Sequence, residues 1–108
     1  MGKKIKESTG EIEKCMAMCE YLIKNALDFL KDEQLESKFK ESYVTYQPLG
    51  TIMGIMPWNF PFWLIFKVLV PALVLGNPIL LKHAHTVPQC SEALEDLFKQ
   101  AGFDKGEF

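Results

Sequence analysis

A chain of 108 residues is long enough for one small domain. Twelve lysines and no arginine stand against fourteen Asp plus Glu, a formal net charge of -2, and no basic block offers nucleic acid an electrostatic footprint. The three cysteines, Cys15, Cys19 and Cys90, are an odd number, which reads as reduced thiols in a cytoplasmic compartment rather than as a disulfide framework.

The first fourteen positions are polar and charged and lead into no cleavage site, so no secretory signal is read there. Ser8 and Glu11 fit a capping box at the start of an amphipathic helix. Ile12, Cys15, Met16, Cys19, Leu22, Ile23, Ala26 and Leu30 recur at three- and four-residue steps, predicting one apolar face whose task is packing. Asp32 to Lys40 is polar. Ser42 to Gln47 then alternates like a two-sided strand, with a partner expected near Leu35 to Phe39, so a hairpin is predicted over residues 35–47.

After Pro48-Leu49-Gly50, residues Thr51 to Met56 read as a buried strand and Phe62 to Leu75 as a helix that Pro71 bends or ends and Gly76-Asn77 stops. Ile79 to Lys82 is a second buried strand. Pro88 to Ala101 is a second helix, with Ala93, Leu94, Leu97, Phe98 and Ala101 as its inner stripe and Gly102 as its stop. This order predicts an α/β fold: a partial, Rossmann-like parallel βαβ unit covered on both faces, preceded by an amphipathic helix and a β-hairpin arm. The apolar run from Phe60 to Leu81 has the length of a membrane span, but Lys67, Pro71 and Gly76-Asn77-Pro78 argue for helix then strand, and no membrane partner is expected.

Two segments bear on chemistry. In Pro57-Trp58-Asn59-Phe60-Pro61, two prolines fix the backbone around one amide side chain, which suits either a helix N-cap or a positioned hydrogen-bond donor. Cys15-x-x-x-Cys19 with His83 and His85 matches no common zinc spacing, so no metal is expected. Cys90 has no His or Asp beside it and reads as a small packing residue.

The run M-G-I-M-P-W-N at Met53 to Asn59, followed by Phe60-Pro61, resembles the aldehyde dehydrogenase superfamily. P-L-G at Pro48 to Gly50, A-L-V-L-G-N at Ala72 to Asn77, L-L-K-H-A at Leu80 to Ala84 and A-G-F at Ala101 to Phe103 extend the likeness, which is closest in wording to the succinate-semialdehyde dehydrogenase-like branch. The resemblance implies that residues 1–108 are a fragment of the NAD(P)-binding domain of such an enzyme. Met1-Gly2-Lys3 resembles an internal M-G-K of the family, and the family's nucleophilic cysteine and general-base glutamate fall beyond Phe108. On that reading the chain alone is inactive, a truncated enzyme or, alternatively, an interaction fragment or split subunit that joins other aldehyde dehydrogenase chains.

The resemblance also implies roles. Asn59 becomes the oxyanion donor. Ile55, Met56, Pro57 and Trp58 become the cofactor-lining strand end, and Lys82 the lysine that holds the adenosine ribose. His85 stands where many NAD-preferring members carry a glutamate, and an imidazole there permits NADP as well as NAD. Phe60, Trp63 and Leu64 become apolar walls of the aldehyde tunnel. Lys67 stands near the position of a carboxylate-binding arginine, while the residues alone favour a snorkelling lysine in an apolar helix. The arm at 35–47 becomes the candidate oligomerisation segment, and His83, replacing a common proline, is a surface residue on even terms.

Overall fold

The computed structural model describes residues 1–108, with the order α1 (Ile5–Phe29), β1 (Glu33–Gln34), β2 (Tyr43–Val44), β3 (Ile52–Ile55), α2 (Trp63–Val74), β4 (Ile79–Lys82) and α3 (Pro88–Gln100). Strands β3 and β4 are parallel, in the register Ile52 to Ile79 through Ile55 to Lys82, and α2 is the crossover between them. This is the expected βαβ unit. The ladder is prolonged at both ends, where the Ile52 N–H donates to Pro78 O at 2.8 Å and the Met56 N–H to Lys82 O at 3.1 Å.

The core is built on one face of that sheet. Ile65, Leu69 and Leu94 are fully buried and join Cys15, Phe66, Ile79 and Phe98 in one cluster, so α1, α2, α3 and β4 all contribute to it. Gly54 lies buried in β3 because Leu69 crosses directly above it: a Cβ there would stand 3.0 Å from Leu69 Cδ1. The sheet is not covered on both faces as predicted. Met53, Ile55 and Leu80 are 58%, 69% and 56% exposed, because the pleat sends alternate side chains away from the core and no element of the chain lies over them.

Several boundaries differ from the sequence expectation. Helix α1 starts at Ile5, one turn before the predicted cap, and the Ser8 hydroxyl donates back to Lys4 O at 3.4 Å, so no capping box forms. Its buried stripe is narrow, centred on Glu11, Cys15 and Leu22, and Ile12, Met16 and Ile23 face outwards. The hairpin pairs Glu33 with Val44 and Gln34 with Tyr43. The predicted partner strand, Leu35 to Phe39, is instead mostly loop, held where the Ser37 and Ser42 hydroxyls meet at 2.6 Å and the Phe39 N–H donates to Ser37 Oγ at 3.1 Å.

Pro71 neither ends nor interrupts α2, which continues to Val74. Proline costs that helix the hydrogen bond to the carbonyl of Lys67, four residues back, where the chain is exposed and water can replace the bond. The end comes where predicted, at Gly76 with φ +79°. Asn77 then fixes the reversal: its buried side chain accepts from the N–H groups of Leu49 at 2.6 Å and Gly50 at 3.1 Å, and donates to Ala72 O at 3.1 Å. Helix α3 buries only Leu94 and Phe98; Ala93, Leu97 and Ala101 are exposed. Phe98 stacks on Phe108 at 4.1 Å between ring centres, and the Ile79 N–H donates to Glu107 O at 2.8 Å, so the C-terminal turn folds back on β4. No helix is long and apolar enough to cross a membrane.

Candidate functional site

Because β3 and β4 are parallel, their carboxyl ends lie at the same edge of the sheet, the edge where open α/β folds receive ligands. Ile55 and Lys82 are direct partners in register and both are exposed. His85 follows three residues later, also exposed. Met56 turns the other way and packs against the core cluster. Pro57 and Trp58 continue the strand into the turn, with Trp58 52% exposed.

That turn carries Asn59 to the surface. The helix after it begins only at Trp63, with Phe62 as its N-cap residue, so the Asn59 side chain is not the helix cap. Its amide makes no hydrogen bond within the chain, while its carbonyl accepts from Lys3 Nζ at 3.3 Å. Asn59, Trp58 and Phe60 share an open cavity of about 450 Å³ with Met1, Gly2, Lys3 and Glu7. Lys82, His85 and Lys67 lie outside it.

Helix α2 has no capping side chain of its own and no acidic residue in its first turn. The cap comes from α1: Glu11 Oε1 accepts from the N–H of Phe62 at 2.7 Å and of Trp63 at 2.9 Å. Its other oxygen, Oε2, is paired with the Lys3 ammonium, and both side chains are nearly withdrawn from solvent. Burial alone would raise the Glu11 carboxyl, but Lys3 and the two backbone donors outweigh it and hold the group below its ordinary value. Lys3 also stands 4.4 Å from the centre of the Phe60 ring. The sequence signal for this cluster was a carboxylate sharing the apolar stripe of Cys15 and Leu22, where a lone charge is rarely placed unless paired.

His83 is also structural rather than a free surface group. Its Nδ1 accepts from the Ala84 N–H at 2.8 Å, which places the proton on Nε2, and Nε2 donates to Pro61 O at 3.0 Å. The turn is thus tied to both α1 and the end of β4.

Trp63 and Leu64 are half-buried at the start of α2, with Lys67 exposed one turn on. Within α2 the spacing 63, 64, 67 places these three substrate candidates along one side of the helix, and Phe60 precedes them in the turn. All three thiols are free. Burial, helped by the charge of Glu11, pushes Cys15 up to about 11, and burial also raises Cys19 and Cys90, so these thiols are held protonated.

Residues 1–108 match the aldehyde dehydrogenase family model, and the chain belongs to that family. It is 45% identical, over its whole length, to the probable succinate-semialdehyde dehydrogenase [NADP(+)] of Synechocystis, and 37% identical to the succinate semialdehyde dehydrogenase [NAD(P)+] of Escherichia coli. It covers 24% and 23% of those proteins, about a quarter of their length. The crystal structure of succinic semialdehyde dehydrogenase from Streptococcus pyogenes with NADP+ superposes with a TM-score of 0.94 at 36% identity, over 99% of this chain and 24% of that one. The crystal structure of methylmalonate-semialdehyde dehydrogenase from Oceanimonas doudoroffii superposes at 0.80 with 29% identity, over 91% of this chain and 20% of that one.

Proposed function

We propose that this chain supplies the oxyanion donor and part of the cofactor edge of an NAD(P)-dependent aldehyde dehydrogenase that oxidises a small carboxylate-bearing aldehyde, such as succinate semialdehyde, to the acid. One observation supports this most: Asn59 presents an unpaired amide donor from a turn tied down on both sides, at the carboxyl edge of a parallel sheet. Attack of a nucleophile on an aldehyde carbonyl places negative charge on its oxygen, and a donor already in place stabilises that charge without reorganising. Burial raises all three thiols of this chain and none of them lines the Asn59 cavity, so the attack is assigned to a nucleophile outside residues 1–108. On this reading residues 1–108 are inactive alone.

The exposed Lys82 and His85 at the end of β4 fit a nicotinamide dinucleotide, offering an ammonium to ribose hydroxyls and an imidazole, with no carboxylate at position 85 to repel a 2′-phosphate. When bound, that cofactor accepts hydride from the substrate carbon. Lys67, charged and exposed on α2, is assigned to the distal carboxylate of the substrate.

The test is an enzyme made by joining residues 1–108 to the remaining three-quarters of the Synechocystis relative. Asn59→Ala should lower kcat by about 10²- to 10³-fold, the usual effect of deleting one oxyanion donor, and a change under about threefold would remove Asn59 from the chemistry. In the same enzyme His85→Glu should weaken NADP use more than NAD use. Equal effects on both cofactors would end that assignment.

The arm at 35–47 leaves Leu35, Phe39 and Tyr43 52%, 68% and 53% exposed, which supports its use against a second aldehyde dehydrogenase chain. Phe39→Glu with Tyr43→Glu should lower the sedimentation coefficient of the joined enzyme, and an unchanged assembly would take the arm out of the interface.

A further inference from the structure

We infer that Glu11, with Lys3, is a positioning residue for Asn59: the buried pair on the N-terminal segment clamps the centre and the far end of the turn that presents the amide. This rests on the oxyanion role proposed above for Asn59, and the geometry beneath it is independent of that role.

The turn Pro57 to Phe62 has three anchors. At its far end Glu11 Oε1 receives two backbone N–H groups, from Phe62 and Trp63. At its centre Lys3 Nζ donates to the Asn59 carbonyl and lies over the Phe60 ring. The third anchor is His83 Nε2 on Pro61 O. Glu11 joins the first two, because its second oxygen holds the ammonium that reaches Asn59. Without this carboxylate, two donors at the start of α2 lose their acceptor and Lys3 loses the charge that keeps it buried. Asn59 is attached to the rest of the fold through these bonds, since its side chain makes none. A donor is useful in a transition state only if it is held before the charge appears. A buried Glu and Lys some fifty residues earlier in sequence supply that rigidity where the turn's own side chains do not.

The inference predicts a localised effect on the 108-residue chain itself, read by amide hydrogen exchange in ¹⁵N NMR with the Asn59 side-chain signals as a second readout. In the unsubstituted chain the Phe62 and Trp63 amides should exchange slowly. Glu11→Leu should speed both by at least about tenfold, the equivalent of one lost hydrogen bond, and should shift the Asn59 side-chain signals, while Ile52 in β3, whose N–H is held by Pro78 O, keeps its protection. Glu11→Gln keeps an acceptor for the two amides and loses the ion pair. It should restore much of the protection at Phe62 and Trp63, and Lys3→Met should move the Asn59 signals with little change at those amides.

A general stabilising role would instead speed exchange at Ile52 and at Phe62 alike in every variant. That result overturns the proposal, as would unprotected Phe62 and Trp63 amides in the unsubstituted chain, or Asn59 signals unmoved by all three substitutions. Because no readout is catalytic, an inactive Asn59 in the joined enzyme would refute the oxyanion role and leave the clamp standing. An unclamped but catalytic Asn59 would do the reverse.

Discussion

Asn77 should be among the most sensitive polar positions in the chain. Asn77→Ala removes three hydrogen bonds, two accepted from Leu49 and Gly50 and one donated to Ala72 O. None of the partners is left both buried and bare. Leu49 is 90% exposed and Gly50 is exposed, so water can reach their amides, and Ala72 O keeps the backbone N–H of Asn77 at 3.0 Å. Each bond therefore counts at its net value of about 1 kcal/mol rather than at a full desolvation penalty, giving about 3 kcal/mol in all. For a domain of this size that corresponds to a fall in Tm of roughly 12–24 °C. Thermal unfolding by circular dichroism, at one fixed protein concentration for both chains, measures it. A fall of less than about 4 °C, equivalent to under about 1 kcal/mol, would mean that water replaces the asparagine almost without loss and that this side chain does not fix the approach to β3.

Two further outcomes concern the core and the cap. Gly54→Val should cost about 1–3 kcal/mol through overpacking, because Leu69, fully buried, has no free space into which its methyl groups can retreat from the new side chain; an unchanged urea midpoint would show that β3 and α2 separate easily. The folded-state pKa of Glu11 lies below its ordinary value, so its contribution to stability is fully present above the unfolded value and is lost as pH falls through the folded one. The urea midpoint of the native chain should therefore fall more on acidification through the carboxylate range than that of Glu11→Gln, and parallel curves for the two chains would refute this.

The βαβ unit was legible because its signals are local. Ile79 to Lys82 has the strand limits read from sequence, and Pro88 and Gly102 mark α3 to within a residue. What misled was wherever a tertiary partner outbid a local one. Ser8 and Glu11 have the spacing of a capping box, but two unsatisfied amides on α2 and a buried ammonium are stronger partners for a carboxylate than one amide of its own helix. The apolar residues of α1 satisfy a helical period on a wide face, yet only the strip opposite α2 and α3 finds something to pack against, and Ile23 at 82% exposure does not. Asn59 was singled out by its two prolines and by family resemblance. Lys3 and His83, which hold its turn, were not recognised, because no sequence rule links residues so far apart.

That separation has a consequence for how the molecule assembles. The acceptor that starts α2 lies 51 residues before the first amide it receives, so this helix end cannot be completed until a long loop has closed. The length-dependent part of closing a flexible loop of that size costs about 3.5 kcal/mol in chain entropy. One hydrogen bond to a charged group returns about 1.5–3 kcal/mol, so a single bond falls short, while the pair made by Glu11, about 3–6 kcal/mol, is comparable to that cost. Helix α2 should accordingly begin frayed at Phe62 and acquire its first turn late, in the same step that docks α1, so that the order of events along the folding path runs against the order of the elements in the chain.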